Sequence, residues 1–146
     1  MAGYNVRAYI DTNVLIDYLV ESRQGASDSH MIFQAAKDGR IEIFISTQSF
    51  IDAEYIISRA PGFDRKHMFD TMLKLMSFVN IGHINWTDLR SAILNYSGDF
   101  EDDAQYSAAD FEGCDIIVTS DRAFSKKQTA GGPLIMTPAE FVAKMS

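Results

Sequence analysis

The sequence predicts an α/β fold, with a central parallel sheet of about four to five strands and helices on both faces. Three observations carry this. Short apolar runs recur at residues 6–10, 41–45 and 116–119, the length and composition of buried strands. The segments between them carry apolar residues at helical spacing, as Val14, Leu15, Tyr18 and Leu19 do. Strands that alternate with helices connect by right-handed crossovers, which makes neighbouring strands parallel.

Each element has its own signal. Residues 6–10 read as a strand broken only by Arg7. It stops at Asp11, and a helical pattern begins at once. Residues 21–27 form a polar loop. Asp28 and Ser29 are expected to cap a second helix carrying Met31, Ile32, Ala35 and Ala36, which ends near Gly39. The strand at 41–45 leads into a helix that begins at Ser46 or Thr47 and runs to about Arg59. Its expected core stripe is Phe50, Ala53, Ile56 and Ile57, and Pro61-Gly62 breaks the chain. Residues 63–79 carry Met68, Met72, Leu75 and Met76 at helical spacing, read as core. A short strand at 81–85 precedes Trp86, and Thr87 is expected to cap a helix over 88–96. Gly98 ends that unit. The next helix runs from about Glu101 to Phe111, with Gly113 placed to close it. After the strand at 116–119 come a short turn at Arg122-Ala123-Phe124, a loop at 126–132 and a last short strand at 134–136. Thr137-Pro138 then caps a terminal helix with Pro at its first position.

A chain of 146 residues, nearly half of them apolar, suits one domain spanning 1–146 with a sizeable core. Cys114 is its single cysteine, so no intramolecular disulfide forms and the expected compartment is the reducing cytoplasm. Cys114 itself is expected to be inert packing. The stretch Met1-Ala2-Gly3-Tyr4-Asn5 lacks the charged and apolar regions of a signal peptide, and no apolar run is long enough to span a bilayer. A net charge of −7 opposes a polyanionic partner. Arg59, Arg65, Lys66, Arg122, Lys126 and Lys127 are local basic residues, read first as solvated surface.

The acids carry the chemistry. Asp11 lies where a strand gives way to a helix, and Thr119-Ser120-Asp121 ends another strand. Asp99-Phe100-Glu101-Asp102-Asp103 opens a helix, and Asp52 and Glu54 lie in the first turns of the helix after a strand. In a parallel sheet all of these arrive at one edge, where open α/β sheets bind ligands. Clustered carboxylates without matching bases repel one another, and a divalent cation is the simple remedy. Hard oxygen ligands suit Mg²⁺ or Mn²⁺. The plain structural role is capping, for which Asp is well suited at Asp11 and Asp121. The cluster at 99–103 equally complements a helix dipole. Consecutive helical residues turn by about 100°, so Asp52 and Glu54 point different ways from the two margins of their stripe. Thr12, Asn13, Thr119 and Ser120 are polar neighbours that either orient the acids from behind or cap helices. His30, His67 and His83 show no zinc spacing, no glycine-rich phosphate loop follows a strand, and Ser107 lies in no nucleophile motif. A receiver-like phosphoacceptor domain would want a lysine at a late strand end, where Thr119-Ser120-Asp121 stands instead.

Three blocks resemble the signature of PIN domains. They are Asp11-Thr12-Asn13-Val14-Leu15-Ile16-Asp17, Asp99-Phe100-Glu101-Asp102, and the stretch from Gly113 through Asp121 to Phe124. They occur in the family's order over nearly the whole chain. The resemblance implies a three-layer α/β/α fold and a Mg- or Mn-dependent ribonuclease of the VapC-like toxin group. It also implies an RNA substrate, an antitoxin partner and a homodimer. It places metal ligands at Asp11, Asp102 and Asp121. The family often carries Asn where Asp121 stands. The acid just before the family's alanine position is the functional one, here Asp102; Asp103 stands where the alanine usually is and remains second choice. Counting six residues from Ser46 gives Asp52 as the helix acid, whereas the family's usual glutamate would favour Glu54. The alternative is a PIN-like module with a degraded site that binds RNA or protein without cleaving.

Overall fold

The structure is a computed structural model that describes residues 5–127 and 129–146 and, apart from Ser125 and Lys126, their side chains. The reading of the first four residues, Gln128 in the expected loop and the Lys126 side chain lie outside the described residues.

Five strands form one sheet: β1 (Arg7–Ile10), β2 (Glu42–Ser46), β3 (Asn80–Gly82), β4 (Ile116–Val118) and β5 (Leu134–Met136). Their order is β3-β2-β1-β4-β5, and every pairing is parallel. The chain winds outward from β1 to β3, crosses back, and continues on the other side of β1. That reversal falls between β1 and β4, and it makes the crevice beyond their carboxyl ends the switch point of the sheet.

The reversal also divides the helices. Helices α1 (Thr12–Leu19), α2 (Ala26–Lys37), α3 (Thr47–Ile57), α4 (Arg65–Met76) and α7 (Pro138–Met145) cover one face. They pack Leu15, Phe33, Phe50, Leu75 and Phe141 on Ala8, Ile10, Ile43, Ile45, Ile116 and Val118. The alternate strand residues Tyr9, Phe44 and Ile117 face the other layer, where α6 (Phe100–Phe111) contributes Ala108 and Ala109. The helix α5 (Trp86–Leu94) packs on α6. Ile10, Ile117 and Val118 are fully buried, each contributing about 1.5–3 kcal/mol by leaving water. The two-residue alternation thus builds two cores from one sheet. Cys114 belongs to the second core, and burial pushes its thiol up to about 12.

Several boundaries differ from the sequence expectation, each for a local reason. Helix α2 begins at Ala26 with Gly25 at its cap, not at Asp28 or Ser29. Ser29 is buried and donates to the Val14 carbonyl at 3.0 Å, docking α2 on α1. A side chain at Gly25 would collide with the Asp17 carboxylate. Helix α5 is capped at Asn85 rather than Thr87, because the Asp88 carboxylate reaches back to the Asn85 N–H at 2.8 Å. Ile56 leaves the expected stripe of α3 and Met76 that of α4; both are exposed. The faces that pack are Phe50, Ala53 and Ile57, and Met68, Met72 and Leu75, spaced three and four apart. The remaining helix ends shift by one or two residues.

Candidate functional site

The sheet places Asp11 one residue past β1. Its N–H still bonds the Val118 carbonyl of β4 at 3.0 Å, so the backbone keeps sheet register while α1 begins. The carboxylate caps α1 through the Thr12 N–H at 2.8 Å, and its second oxygen accepts from the Thr119 hydroxyl at 2.7 Å. That hydroxyl also accepts from the Asp121 N–H at 3.1 Å. Thr119 therefore ties the ends of β1 and β4 together across the switch point. Asp121 is exposed and caps the following 3₁₀ turn through the Ala123 N–H at 2.9 Å. Capping and site placement coincide at both residues.

Asp102 comes from α6 on the opposite layer, whose first turn is capped by Asp99. Its side chain is buried, and Oδ2 has no hydrogen-bond partner among the described residues. Burial, then the negative charges of Asp99, Asp11 and Asp121, push its carboxyl up to about 7, against a smaller opposing effect of Lys127. Asp11 is raised by burial, with hydrogen bonds from Thr119, Thr12 and Gln105 working the other way. Glu101 is raised by burial and then by Asp52, Asp11 and Asp99. Asp102 feels the charges of Asp99, Asp11 and Asp121, and Glu101 those of Asp52, Asp11 and Asp99, so these acids share one edge of the sheet.

The two acids of α3 diverge. Asp52 is half-buried, bonded to the Gln48 amide at 2.9 Å, and close enough to Glu101 to raise it. Glu54 turns to α4 and pairs with Arg65 at 3.1 Å. Asp103, the alternative to Asp102, is fully engaged. It accepts from the Ser97 N–H at 2.8 Å and hydroxyl at 2.6 Å, and from Lys127 Nζ at 2.9 Å. Burial alone would raise its carboxyl, but these bonds outweigh it and hold it below the usual range. Lys127 is correspondingly not surface: its side chain is 8% exposed.

Behind the acids, the Thr12 hydroxyl bonds Ser49 at 2.7 Å, and Ser46 caps α3 through the Ser49 N–H. The Asn13 side chain accepts from the Ser120 N–H at 3.4 Å, whereas the Ser120 side chain is exposed. Sequence reading passed over Ser49 and Gln105. For Gln105 a signal existed: it lies three residues after Asp102 and four after Glu101, on the same helical face.

Among the described residues no three acids, histidines or cysteines close into a ready-made metal cage. The donor set itself fits a hard divalent ion. It is all carboxylate, lies in a partly buried crevice, and includes one buried oxygen without a partner. A cleft of about 800 Å³ beside Asn13, Asp17, Arg23, Ser120 and Arg122 borders this edge.

A family profile described as PIN domain matches residues 7–123. The chain is similar to Ribonuclease VapC1 of Aquifex aeolicus, 23% identical over 123 residues, spanning 81% of this chain and 83% of that protein. Its fold is similar to Mycobacterium tuberculosis VapC20, described as a Sarcin-Ricin loop cleaving toxin. That likeness has a TM-score of 0.65 at 14% identity and covers 86% of this chain and 95% of that one. It is also similar to a toxin-antitoxin complex from Klebsiella pneumoniae, with a TM-score of 0.60 at 20% identity, covering 90% and 97%.

Proposed function

The chain belongs to the PIN domain family, and from that premise we propose that it is a single-domain, divalent-metal-dependent endoribonuclease, the toxin of a toxin–antitoxin pair. The observation that carries the reading is Asp102: a buried carboxylate with an oxygen unpartnered among the described residues, raised by the charges of Asp11 and Asp121 at the switch point. Asp11, Asp102 and Asp121 would hold the cation, Mg²⁺ or Mn²⁺. Such an ion supplies Lewis acidity that offsets the charge building on a phosphodiester under attack by water.

The chain's own residues do the rest. One Thr119 hydroxyl links the Asp11 carboxylate to the backbone N–H of Asp121. Asp52 and Glu101 extend the acidic edge toward α3, where they would orient the attacking water or share a second ion. Asp102, its carboxyl pushed up to about 7, holds a proton near neutrality that a bound cation would displace. No covalent nucleophile is needed. The relatives' printed names support the RNA substrate, and the Klebsiella complex supports an antitoxin partner. We place the protein in the cytoplasm with its RNA and expect it to form homodimers; no described helix is long and apolar enough to cross a membrane.

The test is cleavage of a panel of structured and single-stranded RNAs with Mn²⁺, Mg²⁺ or EDTA. Metal-stimulated cleavage that disappears in Asp11→Asn is the expected result. Binding of RNA without metal-stimulated cleavage would favour the non-catalytic module instead.

A further inference from the structure

We propose that Ser49 is a positioning residue for Asp11, acting through Thr12 from the first turn of α3. The inference rests on the metal-site reading above. Ser46, at the end of β2, caps α3 by accepting from the Ser49 N–H at 3.1 Å. That bond uses the backbone of residue 49 and leaves its hydroxyl to another purpose. The Ser49 hydroxyl accepts from the Ser46 hydroxyl at 3.2 Å and shares a 2.7 Å bond with Thr12 Oγ1. Thr12 in turn donates its N–H to Asp11 Oδ1 at 2.8 Å. A continuous line of hydrogen bonds therefore runs from the end of β2, through α3 and α1, to the Asp11 carboxylate.

Burial shows that this line is not incidental. Ser46 and Ser49 are 1% exposed and Thr12 is 9% exposed. A hydroxyl taken out of water costs free energy unless it is bonded. Alanine at position 49 would keep the Ser46 cap, avoid that cost and favour the helix more strongly. Neither capping nor helix formation accounts for a serine there; the bridge to Thr12 does. The bridge pins the first turn of α1 to the first turn of α3, two helices that leave the adjacent strands β1 and β2. Holding the Thr12 side chain fixes the peptide whose N–H orients Asp11. The same contact sets the start of α3, which carries Asp52 one turn on. Polar contacts behind a metal ligand typically contribute 10–100-fold in metal affinity.

The experiment is a double-mutant cycle on the full chain, read by calorimetric titration with Mn²⁺ and by melting temperature in EDTA. Ser49→Ala removes one end of the bridge, and Thr12→Val removes the other at nearly constant volume. Each is expected to weaken Mn²⁺ binding roughly 10–100-fold, and the double variant no further than the weaker-binding single one, because both act through one bond. Ser29→Ala is the control: it breaks a buried serine contact between α1 and α2 away from the acids. It should lower the melting temperature and leave Mn²⁺ affinity as in the wild type. Wild-type affinity in Ser49→Ala overturns the proposal; if that variant does not fold, wild-type affinity in Thr12→Val does so. Losses that multiply in the double variant overturn the route through Thr12. A loss in Ser29→Ala equal to that in Ser49→Ala would make general loosening the cause and overturn the positioning role. Should the wild type bind Mn²⁺ and Asp11→Asn lose it while Ser49→Ala binds normally, the positioning role alone falls. Should the wild type bind no Mn²⁺, the metal-site reading falls and takes this inference with it.

Discussion

Asp102 and Asp103 are consecutive residues of one helix with opposite circumstances. Asp103 is matched by a lysine, a hydroxyl and an amide, and its carboxyl is held low. Asp102 has one oxygen with no partner among the described residues, and burial and the charges of neighbouring acids push its carboxyl up to about 7. The same contrast holds across the molecule. Away from the switch point, Asp17 pairs with Arg23 at 2.6 Å, Glu54 with Arg65, and Asp88 accepts from Ser107 at 2.8 Å. Asp11 and Asp121 at the switch point are bonded too, through Thr12, Thr119 and Ala123, but Asp102 Oδ2 has no hydrogen-bond partner among the described residues, and a divalent cation is the partner proposed for it.

Exchanging the residues of that pair should break it in two different ways. Asp102→Asn should abolish metal-dependent cleavage, a loss greater than the roughly 10–100-fold expected for an outer-shell change, with the fold retained. Asp103→Ala should leave the Lys127 ammonium with Ser97 but no carboxylate and cost about 1–3 kcal/mol of stability. RNA cleavage and urea unfolding of both variants check this. A normal rate in Asp102→Asn would show that the wrong acid has been assigned.

The pH dependence sharpens the contrast. The Asp102 carboxyl in the folded chain lies well above its ordinary 3.8. Folding therefore favours its protonated form, and its contribution to stability is fully present below about pH 4. That contribution is lost as pH rises through about 7. Metal-free protein should be less stable at pH 8 than at pH 5 on this account, by about 1–3 kcal/mol. Asp102→Asn should flatten that slope, and denaturant unfolding at the two pH values measures it.

A smaller effect separates the acids of α3. Glu54→Ala breaks a partly exposed ion pair, worth roughly 0–1 kcal/mol, and should leave cleavage unchanged. Asp52→Ala should reduce cleavage with little change in melting temperature. The reverse pattern would transfer the role to Glu54.

The sequence made the elements legible because strand and helix periods are local properties. It also placed Asp11 and Asp121 at strand ends, where apolar runs stop. What it did not hold was any long-range pairing. Nothing near Glu54 announces Arg65, eleven residues on, so register and residue type pulled toward different acids. Lys127 read as surface because its partners lie 24 and 30 residues away. Gln105 drew no attention because a polar residue within a helix is ordinary until the helix is seen to bury it. The switch point, too, emerges only from strand order, which puts β4 beside β1 across most of the chain.

The melting temperature of the wild type and of Asp11→Asn, each in EDTA and in saturating Mn²⁺, tests the central claim most directly. In EDTA the variant should melt at or above the wild type, because one of several repelling charges is gone and Asn caps about as well as Asp. Mn²⁺ at a hundredfold excess over its dissociation constant should stabilise the wild type by about 2.7 kcal/mol, and should stabilise the variant far less. Equal responses of the two proteins to Mn²⁺, or no response in the wild type, would contradict a cation site at Asp11.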